Sequence, residues 1–470
     1  MGALAALLRE EGNEVSGSDA AFDPPIGPML HGLGIRCLTG YDPRHLEPRP
    51  DLVVVGNAIR SSNAEAQEVE RLGLARASMS ATIRQRFLSR RRPLVVAGTH
   101  GKTTTTAMSA WILWRAGLEP GWFIGGVPKG LPGSAAMGGG RVRPDRGRAP
   151  FVVEGDEYDA VYWAKHPKFL DYVGVTPDEV AILTSIEHDH IDIYPDAGSY
   201  EEAFRAFVRR MPAGGLLVCD AHDARARAVV STEAKARVAW YALDGDDTGE
   251  QTPGWLGAPV APTDGTFAFD LFAGGVSCGR FFLKMPGRHN IRNAIAAIAA
   301  CAEGFGVSPS DARGHLASFE GVRRRQDLLG QPRGVFVYDD FAHHPTAVDE
   351  TLRALRARHP TGGLWAVFEP RSATACRSIH QDAYASSFAA ADRVLLAPLG
   401  RSNVPEAERL DLDRLAHDLG PRARAMPSVP AIVAEIASGS RRGDCVALLS
   451  NGAFGGIHRM LLDALEALND

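Results

Sequence analysis

Residues 93–106, PLVVAGTHGKTTTT, restrict this chain more than any other stretch. Pro93–Ala97 is apolar on both faces, as the middle strand of a parallel sheet must be. Gly98 and Gly101 let the backbone turn tightly, and a helical run opens at Thr103 and passes through Trp111 and Trp114 to Gly117. A strand, a glycine turn and a helix start aim several free backbone N–H groups at one point, which is an anion site. Lys102 adds a mobile positive charge, and the Thr103 hydroxyl stands where a P-loop ligates Mg²⁺. The spacing is the shorter G-x-x-G-K-T, because Val96 occupies the place of the usual first glycine. A plain glycine turn with a surface lysine is the competing reading, and the flanking strand and helix favour a nucleotide phosphate site.

A chain of 470 residues exceeds one ordinary core, and three domains are expected. The division predicted is 1–92, 93–329 and 330–470. The first segment alternates helices (3–9) with short strands in NEVSGSD (13–19) and DLVVVGN (51–57). RQRFLSRRRP (84–93) is expected to be a solvated basic hinge. The central segment adds PFVVEGDE (150–157), VAILTSIEHDH (180–190), GGLLVCD (214–220), an antiparallel hairpin over 266–285 and a helix from Asn290 to about Glu303. MGGGRVRPDRGRAP (137–150) has the composition of a mobile surface insertion. The last segment carries strands in GVFVYDDFAHHP (334–345), LWAVFEPR (364–371), ADRVLLAPLG (391–400) and DCVALLSNGAFGGIH (444–458). Strands separated by helices give an α/β chain with helices on both faces of parallel sheets.

The net charge of −5 gives no bulk reason to expect nucleic acid. Six cysteines, at 37, 219, 278, 301, 376 and 445, form no C-x-x-C pair and suit a reducing compartment. The longest apolar run, near 294–302, is about half of what a bilayer requires. A cytoplasmic protein with no membrane partner is expected.

Ligands of open parallel sheets sit at the carboxyl ends of the strands. There the chain places the P-loop, Glu154 closing FVVE, and EHDH (187–190). Glu154 and a histidine beside Thr103 could hold Mg²⁺; a helix cap, a salt bridge or a polar strand end would equally use them. Asn290 and Asn293 fall on one face of a helix start, where an ATP contact and an ordinary N-cap are both open. GVRRRQD (321–327) offers arginines for phosphate, and YDDFAHHP (338–345) sets two aspartates and two histidines at a strand end.

In order, GTHGKTTT, EGDEYD, SIEHDHIDIYP, GRHNIRNA, GVRRRQD and YDDFAHHPTAV closely resemble the Mur ligases, the ATP-dependent amide-forming enzymes of peptidoglycan synthesis. The likeness spans almost the whole chain. It implies a Rossmann-like amino-terminal domain for the UDP-sugar, a P-loop central domain for ATP and a Rossmann-like carboxy-terminal domain for the acceptor. FIGGVP (123–128), EYDA (157–160), DFAHHPTAV (340–348), EPRS (369–372) and SNGAFGGIH (450–458) look most like one branch. That branch attaches L-alanyl-γ-D-glutamyl-meso-diaminopimelate to UDP-N-acetylmuramate in recycling. The L-alanine-adding branch is next, with ESDAS in place of EYDAV.

Residue by residue, the resemblance implies that Thr99, His100, Gly101, Lys102, Thr103 and Thr104 bind ATP. Thr103, Glu154 and His190 would hold Mg²⁺, with Lys102, Glu154 and His190 as the catalytic set. Asn290, Asn293, Arg325 and Asp340 match nucleotide contacts, and His344 and Arg371 face the ATP and acceptor cleft. An acyl phosphate is the implied intermediate. Two departures stand out. Several family members carry a carbamoylated lysine where this chain has Arg205, so the second metal is expected to be held without one. The family also opens with a strand and glycine-rich turn before MG-LA, so a longer native amino terminus is expected. A regulator using ATP as a switch would have the P-loop without needing Asp340 and the HHP block. A folylpolyglutamate synthase-like ligase would lack the DLVVVGNAIRSSN segment (51–63).

Overall fold

The computed structural model describes residues 1–23, 26–139, 147–263, 266–401 and 403–467. The insertion expected at 137–150 lies, over 140–146, outside the described residues.

The strand Arg92–Ala97 sits inside a ten-stranded sheet, between Val180–Leu183 on one side and Pro150–Glu154 on the other, all parallel. Its residues Leu94, Val95, Val96 and Ala97 are wholly buried, which explains why both faces of this strand are apolar. The pleat sends Leu94 and Val96 into a core layer with Val152 and Ile182, and Val95 and Ala97 into a second with Val153 and Leu183. Register fixes the site: Val96 pairs with Glu154 and Ala97 with Leu183, so three strands end at one level. Beyond Val180–Leu183 the sheet runs through Leu216–Asp220 and Arg237–Leu243, both parallel. Trp255–Thr263 then leads into the antiparallel hairpin Thr266–Ala273 and Val276–Leu283.

Lys102–Arg115 is a helix buried along most of its length, packed against Arg288–Phe305. The latter is rich in alanine, which allows close approach, and it ends at Gly306 in a left-handed cap (φ 71°). The third sheet has six strands in the order Asp327–Gly330, Phe336–Asp340, Cys445–Leu449, Leu364–Phe368, Arg393–Leu396 and Ala423–Ala425. Only its first pairing is antiparallel, and apolar layers cover both faces. The first segment forms two parallel pairs, Ser16–Asp19 with Arg36–Thr39 and Val53–Val55 with Arg76–Ser78.

The solvated hinge expected at 84–93 is corrected by the structure. Residues 84–86 close the helix Met79–Arg86, and Phe87 and Leu88 are buried in the central core. Arg84 donates to the carbonyls of Asp171, Val173 and Gly174 at 2.9–3.1 Å, and Arg86 pairs with Glu11 at 2.8 Å. Basic composition here reflects guanidinium groups that satisfy loop carbonyls, so the connector is packed. Among the described residues no helix is long and apolar enough to cross a membrane.

Candidate active site

The glycine turn is pinned from outside the loop. Gly98 (φ 132°) leaves no room for a Cβ, which would lie 2.1 Å from Thr184 Oγ1. Gly101 (φ 78°) is closed off in the same way by Asn293 Oδ1, at 2.3 Å. Thr184 donates to the His100 carbonyl at 2.6 Å, and the His100 N–H donates to Ser185 Oγ at 3.1 Å. The Thr99 hydroxyl donates to the Glu187 carbonyl at 2.9 Å and accepts from the Glu187 N–H at 2.9 Å. Thr99 therefore fixes the loop to the EHDH segment. Thr104 is buried in the first helical turn.

Lys102 Nζ donates to the carbonyls of Gly98 (2.6 Å) and Thr99 (3.1 Å) and pairs with Glu157 at 2.8 Å. Glu157 is 1% exposed and also holds His190 Nε2 at 2.9 Å. Burial opposes its charge, yet Lys102 and His190 together bring its pKa down to about 2. The same carboxylate raises the His190 pKa against the effect of burial. His190 has a left-handed backbone (φ 54°), and its ring lies 4.4 Å from that of Tyr158. The sequence pairs His190 with Glu154; in the structure it reaches Glu157. Glu157 lies in the EGDEYD block three positions beyond Glu154, and nothing in the local pattern distinguishes the two acids as partners of Lys102 and His190. The neighbouring His188 turns to the Tyr194 carbonyl at 2.9 Å.

Glu154 meets the helix start. Thr103 Oγ1 donates to Glu154 Oε1 at 2.8 Å, and the Gly125 N–H donates to Oε2 at 2.7 Å. Burial raises its pKa, with these two donors opposing. Arg325 Nη2 approaches Thr103 Oγ1 at 3.3 Å, and its guanidinium lies 4.7 Å over the Phe341 ring. Asn290 and Asn293 are buried: Asn290 donates to the Pro286 carbonyl (2.7 Å) and to Gln326 (3.2 Å), and Asn293 to Asn290 (3.4 Å). Asp340 uses both oxygens locally, accepting from the Gln326 and Ala342 N–H groups at 2.7 Å, and so holds the residue that precedes the first strand of the third sheet. Arg205 pairs with Glu201 and Glu233 on its own helix face and the next, at 2.6 and 3.5 Å.

The third domain delivers His344 and Thr346 to the loop. Thr346 donates to Glu187 Oε1 at 2.8 Å, and Glu187 Oε2 lies 2.6 Å from His100 and 3.7 Å from His344. Burial and the neighbouring His100 bring the His344 pKa down to about 3. Arg371 stands further out with Glu369 (3.8 Å), over the loop glycines Gly400 and Gly452. Arg324 reaches that same loop, donating to the Ser450 and Gly452 carbonyls at 2.8 and 2.7 Å. A basic cavity of about 260 Å³ lined by Lys129, Lys284, Tyr338 and Arg358 shares Arg325 with the site, but not Lys102, Thr103, Glu154 or Glu157.

The donors suit the metal that such a loop uses. The Thr103 hydroxyl and the carboxylates of Glu154 and Glu157 are hard oxygens, the ligand type of Mg²⁺, beside a helix start, the kind of place that favours anions. His190 beside Glu157 is a softer donor.

Three family models match the chain in order. They are described as "Mur ligase family, catalytic domain" over residues 1–88, "Mur ligase middle domain" over 164–301 and "Mur ligase, glutamate ligase domain" over 324–452. The UDP-N-acetylmuramate–L-alanyl-γ-D-glutamyl-meso-2,6-diaminoheptandioate ligase of Escherichia coli K12 is 37% identical over 466 residues, covering 99% of this chain and 96% of its own. A UDP-N-acetylmuramate–L-alanine ligase of Roseiflexus sp. RS-1 is 32% identical, covering 100% and 97%. Among solved structures, a murein peptide ligase from Psychrobacter arcticus 273-4 superposes with a TM-score of 0.71 at 32% identity, over 99% of this chain and 96% of its own. The UDP-N-acetylmuramate–alanine ligase of Thermotoga maritima gives 0.76 at 22% identity, over 99% and 97%, and shows the fold. With the phosphate loop, the acidic strand end and the third-domain histidines meeting at one place in a full-length match, the chain belongs to the Mur ligase family.

Proposed function

We propose that the chain is an ATP-dependent ligase that joins UDP-N-acetylmuramate to L-alanyl-γ-D-glutamyl-meso-diaminopimelate through an acyl phosphate, in peptidoglycan recycling in the cytoplasm. The observation that carries this reading is the 37% identity, across 99% of the chain, to a ligase named for that acceptor. The first domain would hold the UDP-sugar, the central domain ATP, and the third domain the acceptor.

In the first step the lactyl carboxylate attacks the γ-phosphorus of ATP and ADP leaves. Two anions must meet there, so cationic groups facing the phosphates lower the barrier most. Lys102 is the group for this: its ammonium lies over the loop carbonyls and swings to the β/γ-phosphates when they arrive. Glu157 holds Lys102 and His190 in place until then. Arg325 adds a second positive charge beside Thr103. Mg²⁺, held by Thr103 and Glu154 with Glu157 and His190 adjacent, would neutralise phosphate charge. In the second step the acceptor amine attacks the acyl carbon, a tetrahedral intermediate collapses and phosphate leaves. Third-domain packing through Thr346 and His344 excludes water from the acyl phosphate.

The L-alanine-adding reaction is the second reading, because relatives named for it match the full chain at 32% identity and the fold superposes equally well. An acceptor panel decides between them: the tripeptide and L-alanine are compared under saturating ATP and UDP-N-acetylmuramate, with ADP release as readout. Faster turnover with L-alanine refutes the tripeptide assignment. ADP release that ignores both the sugar nucleotide and the amine refutes the ligase reading.

A further inference from the structure

We propose that His100, Glu187 and His344, with His380 beside them, form a second cation site, for a divalent transition metal of the zinc class, at the junction of the central and third domains. It is separate from the oxygen-rich site of Thr103 and Glu154 and does not rest on the acceptor assignment.

One ligand atom from each of His100, Glu187 and His344 lies within 4.8 Å of the other two. Glu187 Oε2 is the hinge of the group, 2.6 Å from His100 Nε2 and 3.7 Å from His344 Nδ1. Zinc with bonds of about 2.1 Å holds its tetrahedral ligands about 3.4 Å apart, so small side-chain movements complete the shell. The composition, imidazoles with a single carboxylate, is the donor set of zinc-class ions and a poor one for Mg²⁺.

Hydrogen bonding leaves this cluster unfinished. His344 is 4% exposed, yet neither ring nitrogen has a hydrogen-bond partner among the described residues. His380, whose ring centroid lies 4.6 Å from that of His344, likewise has a buried Nε2 without a hydrogen-bond partner among the described residues. Buried imidazole nitrogens are ordinarily satisfied, and a cation between His344 and the Glu187 carboxylate would satisfy the unpartnered ring. The supporting contacts are those that orient metal ligands. Thr346 donates to the other Glu187 oxygen at 2.8 Å, while Ser185 and Thr184 fix the His100 backbone at 3.1 and 2.6 Å. His100 and Glu187 belong to the central domain, and His344 and His380 to the third. A shared ion would therefore tie the third domain against the phosphate loop.

The test uses the full chain stripped with a chelator, then titrated with Co²⁺ while excess Mg²⁺ occupies the hard-oxygen site. The expected result is one equivalent of Co²⁺ with the visible absorption of a low-coordinate nitrogen-bearing shell. His190→Gln keeps that signal, and His344→Gln and Glu187→Gln weaken binding about tenfold or more. X-ray absorption on the zinc-loaded parent gives two or three imidazoles and a carboxylate, and stands alone if a variant fails to fold. The proposal is overturned if no Co²⁺ binds in the presence of Mg²⁺, if His190→Gln abolishes the signal while His344→Gln retains it, or if the zinc shell lacks imidazole.

Discussion

Replacing Glu157 with glutamine tests the centre of the site. The carboxylate is 1% exposed and lies 2.8 Å from Lys102 and 2.9 Å from His190. Burial opposes its charge, yet its pKa falls from 4.5 to about 2, and at about 1.4 kcal/mol for each pH unit the folded site as a whole favours the ionised form by about 3.5 kcal/mol. Glutamine keeps the shape, but leaves the Lys102 ammonium with two carbonyls and no counter-charge. Breaking a buried pair costs about 3–5 kcal/mol. For a central domain of this size, a loss of about 3 kcal/mol lowers Tm by about 6–12 °C. Because the folded pKa is depressed, the contribution is complete above about pH 4.5 and is lost as pH falls through about 2. The parent's stability therefore drops in that window, and the Glu157→Gln protein loses that part of the slope. The assay is thermal melting at neutral pH and across the acid range, with steady-state ADP release alongside. A melting point within about 1 °C of the parent at pH 7 would refute the reasoning.

Further outcomes follow from other contacts. Lys102→Ala is expected to retain UDP-N-acetylmuramate binding by calorimetry and to lose turnover about a thousandfold or more, since the group acts on transferred charge; equal kcat refutes its role. Gly101→Ala forces a left-handed backbone on alanine, at about 1–2 kcal/mol, and drives a methyl into Asn293, so ATP affinity and Tm should fall together. Arg84→Ala leaves three loop carbonyls without their donor and should destabilise the chain by about 1–3 kcal/mol, as read by urea unfolding; a fully solvated connector would show no change. Burial lowers the His190 pKa and Glu157 more than reverses it, so the ring stays protonated above its ordinary 6.5. That stabilisation is complete below about pH 6.5 and disappears as pH rises through the folded value. NMR titration should show the His190 pKa falling when Glu157 becomes glutamine.

The buried strand Pro93–Ala97, the glycine turn and the helix after it are legible from local pattern alone. Those features depend on alternation, backbone freedom and helix starts within a few neighbouring residues. Local pattern also placed Glu154 and the EHDH segment at strand ends, and register then brought Ala97, Glu154 and Leu183 to one level. Which acid meets His190 is a matter of packing, because Glu154 closes its strand and Glu157 lies three positions on in a loop whose path depends on its neighbours. Packing likewise set the contacts of Thr99, whose hydroxyl meets the Glu187 backbone, and of Asp340, whose two oxygens accept from the Gln326 and Ala342 N–H groups. The packed connector was hidden for the same reason: an arginine run looks solvated until the carbonyls of Asp171, Val173 and Gly174 arrive beside it. The cluster of His100, Glu187 and His344 joins residues from distant parts of the chain, and no local rule reports a distance that only sheet order and domain packing set.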